Sequence, residues 1–307
     1  MLIFFRCKDN IRLDVKCQDF VTRLTTLPVN LPQQKFMKKI TAPLLLLMLV
    51  VSCNQKTAEP TAPPADTISK VNPIQQMNEA ITRFPDSLLL RENLIQYYRE
   101  QGNYEQAIAS THSALNKDSA NARIWNILGT LLFENEDSTG SINAFEKAVR
   151  IAPDPRYLIP LGELYAETKN PKAIEVANGL QILNKSTADK DALFIKGLYY
   201  NYTEAYSKAI QFFDQCLSID YSYMDAYREK GIALYNLGKY KDALLVLDKG
   251  TTLQNGFDEG FYWMGRCYEK LNNSENAIQQ YELAIAAAQR NNDDNQDARD
   301  ALQRLRK

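Results

Sequence analysis

One histidine, His112, and five cysteines, at positions 7, 17, 53, 216 and 267, are the side chains of this 307-residue chain best suited to proton transfer, nucleophilic attack or metal ligation. A lone imidazole cannot build a multi-histidine metal centre, and His112 falls within a helical pattern. No two cysteines form a CxxC pair, so zinc-ribbon and redox-dithiol readings find no support. The chain has no glycine-rich phosphate loop, no GxSxG elbow and no HExxH run. Carboxylates are many, but at helical spacing they mark solvated faces. Arg and Lys number 36 against 37 Asp and Glu, a net charge of −1, which gives no basic field for nucleic acid. The expectation is therefore a protein that is not an enzyme, with no catalytic residue, no metal, no small-molecule cofactor and no nucleic-acid partner.

Cys53 is the one cysteine with a chemical context. Lys38 and Lys39 precede a largely apolar run from Ile40 to Val51, and Ser52 stands directly before the thiol. Charged flank, short apolar core and small residue describe a secretory signal. The run is shorter than the roughly 20 residues that span a bilayer. Residues 54–66 are polar and rich in Pro, Ala and Thr, the composition of a flexible linker. The segment Leu49-Val50-Val51-Ser52-Cys53 resembles a bacterial lipobox. That resemblance implies that residues 37–52 are a lipoprotein signal peptide, that Cys53 is lipidated (a palmitate-type modification), and that 53–69 tether the rest. Each buried acyl methylene contributes about 0.8 kcal/mol, so several chains anchor a protein firmly. Residues 1–36 have no role in this scheme and are expected to be an upstream extension, with translation starting at Met37. Mass spectrometry of the unprocessed precursor tests this; a peptide from 1–36 contradicts it.

These motifs occupy the front of the chain, and the elements behind them form one repeated unit. Glycine recurs at 129, 162, 197, 231 and 265, with spacings of 33, 35, 34 and 34. A small residue follows at Ser141, Ala209, Ala243 and Ala277, with Ala107 in the preceding unit. A second column runs Ala80, Ala114, Ala148, Cys216, Gly250 and Ala284. Bulky residues fill a column at Phe145, Phe213, Leu247 and Tyr281, with Thr111 in the first unit. A period in this range means stacked supersecondary units, each unable to cover its own apolar face.

One unit reads Trp125-x2-Leu128-Gly129-x2-Leu132, then Ser141, Phe145, Ala148 and Pro153. That resembles the tetratricopeptide-repeat pattern W-x2-L-G-x2-Y, A-x3-F-x2-A, P. The resemblance covers about six repeats over roughly 88–287, preceded by half a repeat at 70–86. It implies an all-α fold, a solenoid of helical hairpins wound into a right-handed superhelix. On this reading 70–287 is the solenoid and 288–307 a C-terminal cap helix, since Ala298, Ala301, Leu302 and Leu305 lie on one stripe of a polar segment. Gln101-Gly102-Asn103, Leu237-Gly238-Lys239 and Asn272-Asn273-Ser274 read as turns between first and second helices. Asp154-Pro155 reads as an N-cap with a first-turn proline. Unit three departs from the pattern. Ala173 follows Gly162 one position early, Leu180 replaces the second small residue, the next connection is two residues longer, and Pro160 falls inside the first helix. A kink or change of superhelical pitch is expected there.

In tetratricopeptide proteins the concave face is lined largely by first helices. Carried over by position from the glycine column, the groove here comprises Asn126, Phe133, Glu163, Phe194, Asn201, Tyr202, Arg228, Tyr235, Asn236, Tyr262 and Arg266, with Thr130, Glu134, Leu198, Ile232 and Glu269 beside them. Tyr and Arg make interface anchors, and Asn can bond an extended peptide backbone. None of the first helices carries the basic-xxx-Asn step with which chaperone-docking relatives hold an acidic C-terminus. The expected function is a protein–protein scaffold or adaptor at the envelope of a Gram-negative-type bacterium. It would be lipid-anchored at the outer membrane, facing periplasm or cell surface, and would bind a protein or peptide. The alternative is a glycan-binding outer-membrane lipoprotein of a nutrient-uptake system. Cys216 and Cys267, in different units, are expected to be buried free thiols.

Overall fold

A helix whose apolar residues recur every three to four positions needs a partner for its stripe, and these helices find partners in sequence order. The computed structural model describes residues 72–183 and 189–306. Cys53, the signal at 37–52, the linker at 53–69, the extension at 1–36 and the long connection after unit three all lie outside the described residues. Among the described residues there are fourteen helices and no strand. None of these helices is long and apolar enough to cross a membrane. The chain from Met77 onward is a unit of its own.

After α1 (Pro73–Arg83), six hairpins follow. They are α2 (Leu88–Glu100) with α3 (Tyr104–Lys117), α4 (Ala122–Glu134) with α5 (Ser138–Ile151), and α6 (Pro155–Glu167) with α7 (Lys172–Leu183). Then come α8 (Asp189–Tyr202) with α9 (Tyr206–Ile219), α10 (Met224–Asn236) with α11 (Tyr240–Leu253), and α12 (Asp258–Lys270) with α13 (Ser274–Arg290). A last helix, α14 (Gln296–Leu305), packs on α13 through the buried Ala298 and Ala301. The fold is the all-α helical-hairpin solenoid that the repeat pattern predicts.

The columns work by close approach. A methyl added at Gly197 would come within 2.5 Å of the Phe213 ring, so only glycine lets α8 meet α9. The buried Ser141 hydroxyl donates to the Gly129 carbonyl at 2.7 Å, tying α5 to α4 across the same gap. The turns repeat as well. Gly102 and Gly238 take positive φ of 67° and 75°, and Glu136, Lys169, Glu204 and Asn272 occupy the same left-handed position in the other four turns at 56–64°. Asn103, Asp137, Asp154 and Asn273 accept backbone N–H bonds at helix starts, whereas Ala205, Tyr223, Lys239 and Phe257 begin α9 to α12 without a side-chain cap.

Unit three resolves its irregularity by borrowing. Its early second helix puts Ala177 where units two, four, five and six carry Phe, Leu or Tyr. The gap against Gly162 is filled by Ile195 from the next unit, whose Cδ1 lies 2.7 Å from where a Gly162 methyl would sit. Ile195 is fully buried, and α6 lies against α8 as well as against its own α7. Pro160 sits inside α6, which runs on without interruption to Glu167. First helices also touch first helices at α8–α10 and α10–α12. Such contacts make the first helices of units four to six neighbours along one face.

Candidate functional site

The inner face divides into three stretches with different chemistry. At α2 and α4, Arg99 Nε donates to Glu134 Oε2 at 2.8 Å, and these side chains are 16% and 9% exposed. Glu134 is thus committed to a cross-repeat ion pair. Asn126 is half-buried with Oδ1 closed off and without a partner, while Phe133 is 38% exposed.

The middle stretch, over α6, α8 and α10, is acidic. Arg228 is 17% exposed in its side chain and bonds Asp225 at 2.7 Å, Glu259 at 2.8 Å and Glu229 at 2.9 Å. Glu229 is only 7% exposed, and burial raises its carboxyl pKa while Arg228 works against the shift. Asn201, 8% exposed, donates from Nδ2 to Glu229 Oε2 at 3.0 Å, and its Oδ1 accepts nothing. Glu167 stands over the same cluster from α6. The protein wall around it and the charge of Glu229 push its carboxyl up toward about 7. Glu167 nevertheless keeps an exposed side open to water, which screens it and makes the shift smaller than full burial would give.

The third stretch is aromatic and cationic. The Arg266 guanidinium lies 5.4 to 5.8 Å from the ring centres of Trp263, Tyr235 and Tyr262. It donates to the Tyr262 hydroxyl at 2.9 Å and, loosely, to that of Tyr235 at 3.5 Å. No carboxylate pairs with it among the described residues. A guanidinium has five N–H donors, so this one retains donors for an incoming group.

Several residues expected to face a partner are instead packed away. Phe194 is 3% exposed, with its ring 4.9 Å from Tyr223 and 5.9 Å from Phe213, so it fills the seam between units four and five. Tyr262 is 7% exposed and offers little beyond its hydroxyl. Arg228 is sequestered by its three carboxylates. Tyr202 at 38% exposure, the half-buried Tyr235 and Glu163 and the exposed Asn236 keep surface open to solvent. Sequence reasoning missed Glu167, although it follows Gly162 by the same five positions that separate Glu134 from Gly129. It also missed Glu229 and Trp263, which occupy the column that elsewhere carries Ile195. No period could have flagged an acid there.

Cys216 and Cys267 are buried and form no disulfide; the Cys216 thiol donates to the Lys190 carbonyl at 3.4 Å, and burial pushes Cys267 up to about 12. Among the described residues no three His, Cys, Asp or Glu side chains are grouped to hold a metal ion.

Two tetratricopeptide-repeat family models match residues 92–154, 191–223 and 258–291, which fall in units one and two, unit four and unit six. The chain is a tetratricopeptide-repeat protein. A tetratricopeptide repeat protein from Parabacteroides merdae has the same fold, with a TM-score of 0.65 at 18% identity over 76% of this chain and 91% of that one. Cut9, solved as a hetero-tetramer with Hcn1 of the APC/C, gives a TM-score of 0.56 at 17% identity over 75% of this chain and 45% of its own. Protein FlbA of Caulobacter vibrioides is 37% identical over 70 residues, 23% of this chain and 12% of FlbA, so only a small part of that relative is matched. A tetratricopeptide fold is consistent with a protein–protein interaction scaffold, and repeat proteins of this family are generally non-catalytic.

Proposed function

We propose that this protein is a scaffold or adaptor tethered to a bacterial envelope through a lipidated Cys53, holding an extended segment of a partner protein along the inner face of units four to six. The observation that carries the reading is Arg266. It is half-buried, oriented by three aromatic rings and two phenols, and left without a carboxylate. Desolvating a cation without a counter-ion costs stability unless something else uses it. An acidic side chain, or a carbonyl of a docked backbone, supplies what is missing. A protein partner is favoured over a glycan because sugar stacking needs open ring faces, and Tyr262 and Trp263 are only 7% and 9% exposed.

The double variant Tyr235→Ala/Arg266→Ala should lose partners captured by cross-linking in intact cells while its helical circular dichroism is kept. Capture of the same partners at wild-type level refutes the groove. Cys53→Ala should move the protein from the membrane fraction to the soluble one. An unchanged distribution refutes the anchor.

A further inference from the structure

The acid best placed along the chain to neutralise Arg266 serves other groups. Glu269 stands three residues on in α12, a spacing at which an arginine and a carboxylate pair on a helix. Its oxygens are taken instead by Arg304 of α14, at 2.7 and 2.9 Å, and by the Tyr281 hydroxyl of α13. Arg99 and Arg228, on first helices earlier in the solenoid, both end on carboxylates. Arg266 ends on two phenols, Tyr262 at 2.9 Å and Tyr235 at 3.5 Å, among three rings whose centres lie 5.4 to 5.8 Å away. It is half-buried, so water compensates its charge only in part. The Tyr235 hydroxyl accepts from the guanidinium and, among the described residues, passes its own proton to no acceptor. Two groups with donors to spare, one on α10 and one on α12, therefore lie within 3.5 Å of each other.

We propose that Arg266 and Tyr235 form a carboxylate subsite, filled by an aspartate or glutamate side chain or by the C-terminal carboxylate of the bound segment. The proposal rests on the peptide-groove reading above and commits its Arg266 end to an anion. A backbone carbonyl would occupy a donor and leave the half-buried charge uncompensated, whereas a carboxylate does both tasks. An ionised carboxylate only accepts, which matches groups that have only donors left. The charges also match, because one guanidinium carries one positive charge and a phosphoryl dianion would bring a surplus negative one. The three rings restrict how the guanidinium can turn, so less freedom is lost when it forms a two-point contact. Phenol and guanidinium come from different repeats, so the subsite exists only where units five and six stack.

Three first helices set about 10 Å apart are spanned by roughly ten extended residues. The probe is accordingly a random decapeptide library in two forms, one with free C-terminal carboxylates and one amidated. Each is incubated with the immobilised full chain, and retained peptides are sequenced by mass spectrometry. If a side chain fills the subsite, Asp and Glu should be enriched about ten-fold over Asn and Gln in the amidated form, the scale of one charge-assisted contact. If a chain end fills it, the free form should be retained about ten-fold better than the amidated one. Either result supports the subsite. Arg266→Gln should abolish the preference. Tyr235→Phe keeps the ring beside Arg266, removes only the hydroxyl, and should cut the preference about three-fold. Should Arg266→Gln fail to fold by circular dichroism, Tyr235→Phe decides alone. Peptides retained without preference for a carboxylate, or a preference that neither variant changes, overturn the subsite and leave the groove reading standing. Retention of no peptide by the wild-type chain refutes the groove reading and this subsite with it.

Discussion

Replacing Arg228 with methionine isolates the charge balance of the inner face. The side chain is 17% exposed and bonds three carboxylates at 2.7 to 2.9 Å. Asp225 and Glu259 keep 34% and 22% of their side-chain surface in water and can survive the loss. Glu229, at 7% exposure, cannot, because Asn201 would be its only remaining donor among the bonds described here. Removing one partner of a buried pair costs about 3–5 kcal/mol, since the other charge is left uncompensated. With an m-value of about 2–3 kcal/mol/M, that is a fall of roughly 1–2 M in the urea midpoint. The pH dependence has a definite sign. A carboxyl whose folded pKa is raised contributes stability below its unfolded value, near 4.5, and loses it as pH climbs through the folded value. Taking away Arg228 raises Glu229 further, so the variant should lose most at pH 8 and much less at pH 5. Adding Glu229→Leu should restore at least half of the loss, because an apolar pair needs no counter-ion. Urea titrations followed by circular dichroism at the two pH values decide the matter. Equal losses at pH 5 and 8, or no recovery in the double variant, would refute the view that Arg228 serves the fold rather than a partner.

Glu167→Gln should raise the melting temperature at pH 8 and leave it unchanged at pH 4.5. The wild-type carboxyl, held toward about 7, loses stability across that interval and glutamine does not; a difference independent of pH would contradict this. Ile195→Ala should cost about 2–5 kcal/mol in urea unfolding, more than an ordinary helix-face truncation, because the fully buried Ile195, with Val176 beside it, fills the gap that Ala177 leaves at Gly162. A loss under about 1 kcal/mol would mean that unit three collapses onto the space. Lys239→Asn places a capping side chain where Asn103 and Asn273 already cap, and should add about 1 kcal/mol, some 2–4 °C in melting temperature. An unchanged melt would show that the α11 start is satisfied by other means.

The repeat was legible in the sequence because its columns are enforced by contact distance. Gly197 must be glycine while Phe213 is phenylalanine, and the same pairing recurs at Gly129 with Phe145 and at Gly265 with Tyr281. Turns were legible for a similar reason, since Gly102 and Gly238 stand where the backbone takes positive φ. Unit three's irregularity could be seen in the spacing, but its repair could not, because Ile195 reaches Gly162 from a different repeat. The inner face was legible only as a set of positions. Counting from the glycine column placed Phe194, Arg228, Tyr235 and Arg266 all on first helices, and nothing in the count separates them. Tertiary packing did so. It closed Phe194 between Tyr223 and Phe213, surrounded Arg228 with acids drawn from α10 and α12, and left Arg266 among aromatic rings with no counter-ion among the described residues. The physical reason is one of range. Helix formation and hairpin pairing depend on neighbours along the chain, which a period of about 34 residues records. The charge state and accessibility of a groove side chain depend on carboxylates and rings carried by other repeats, and superhelical stacking alone brings those together.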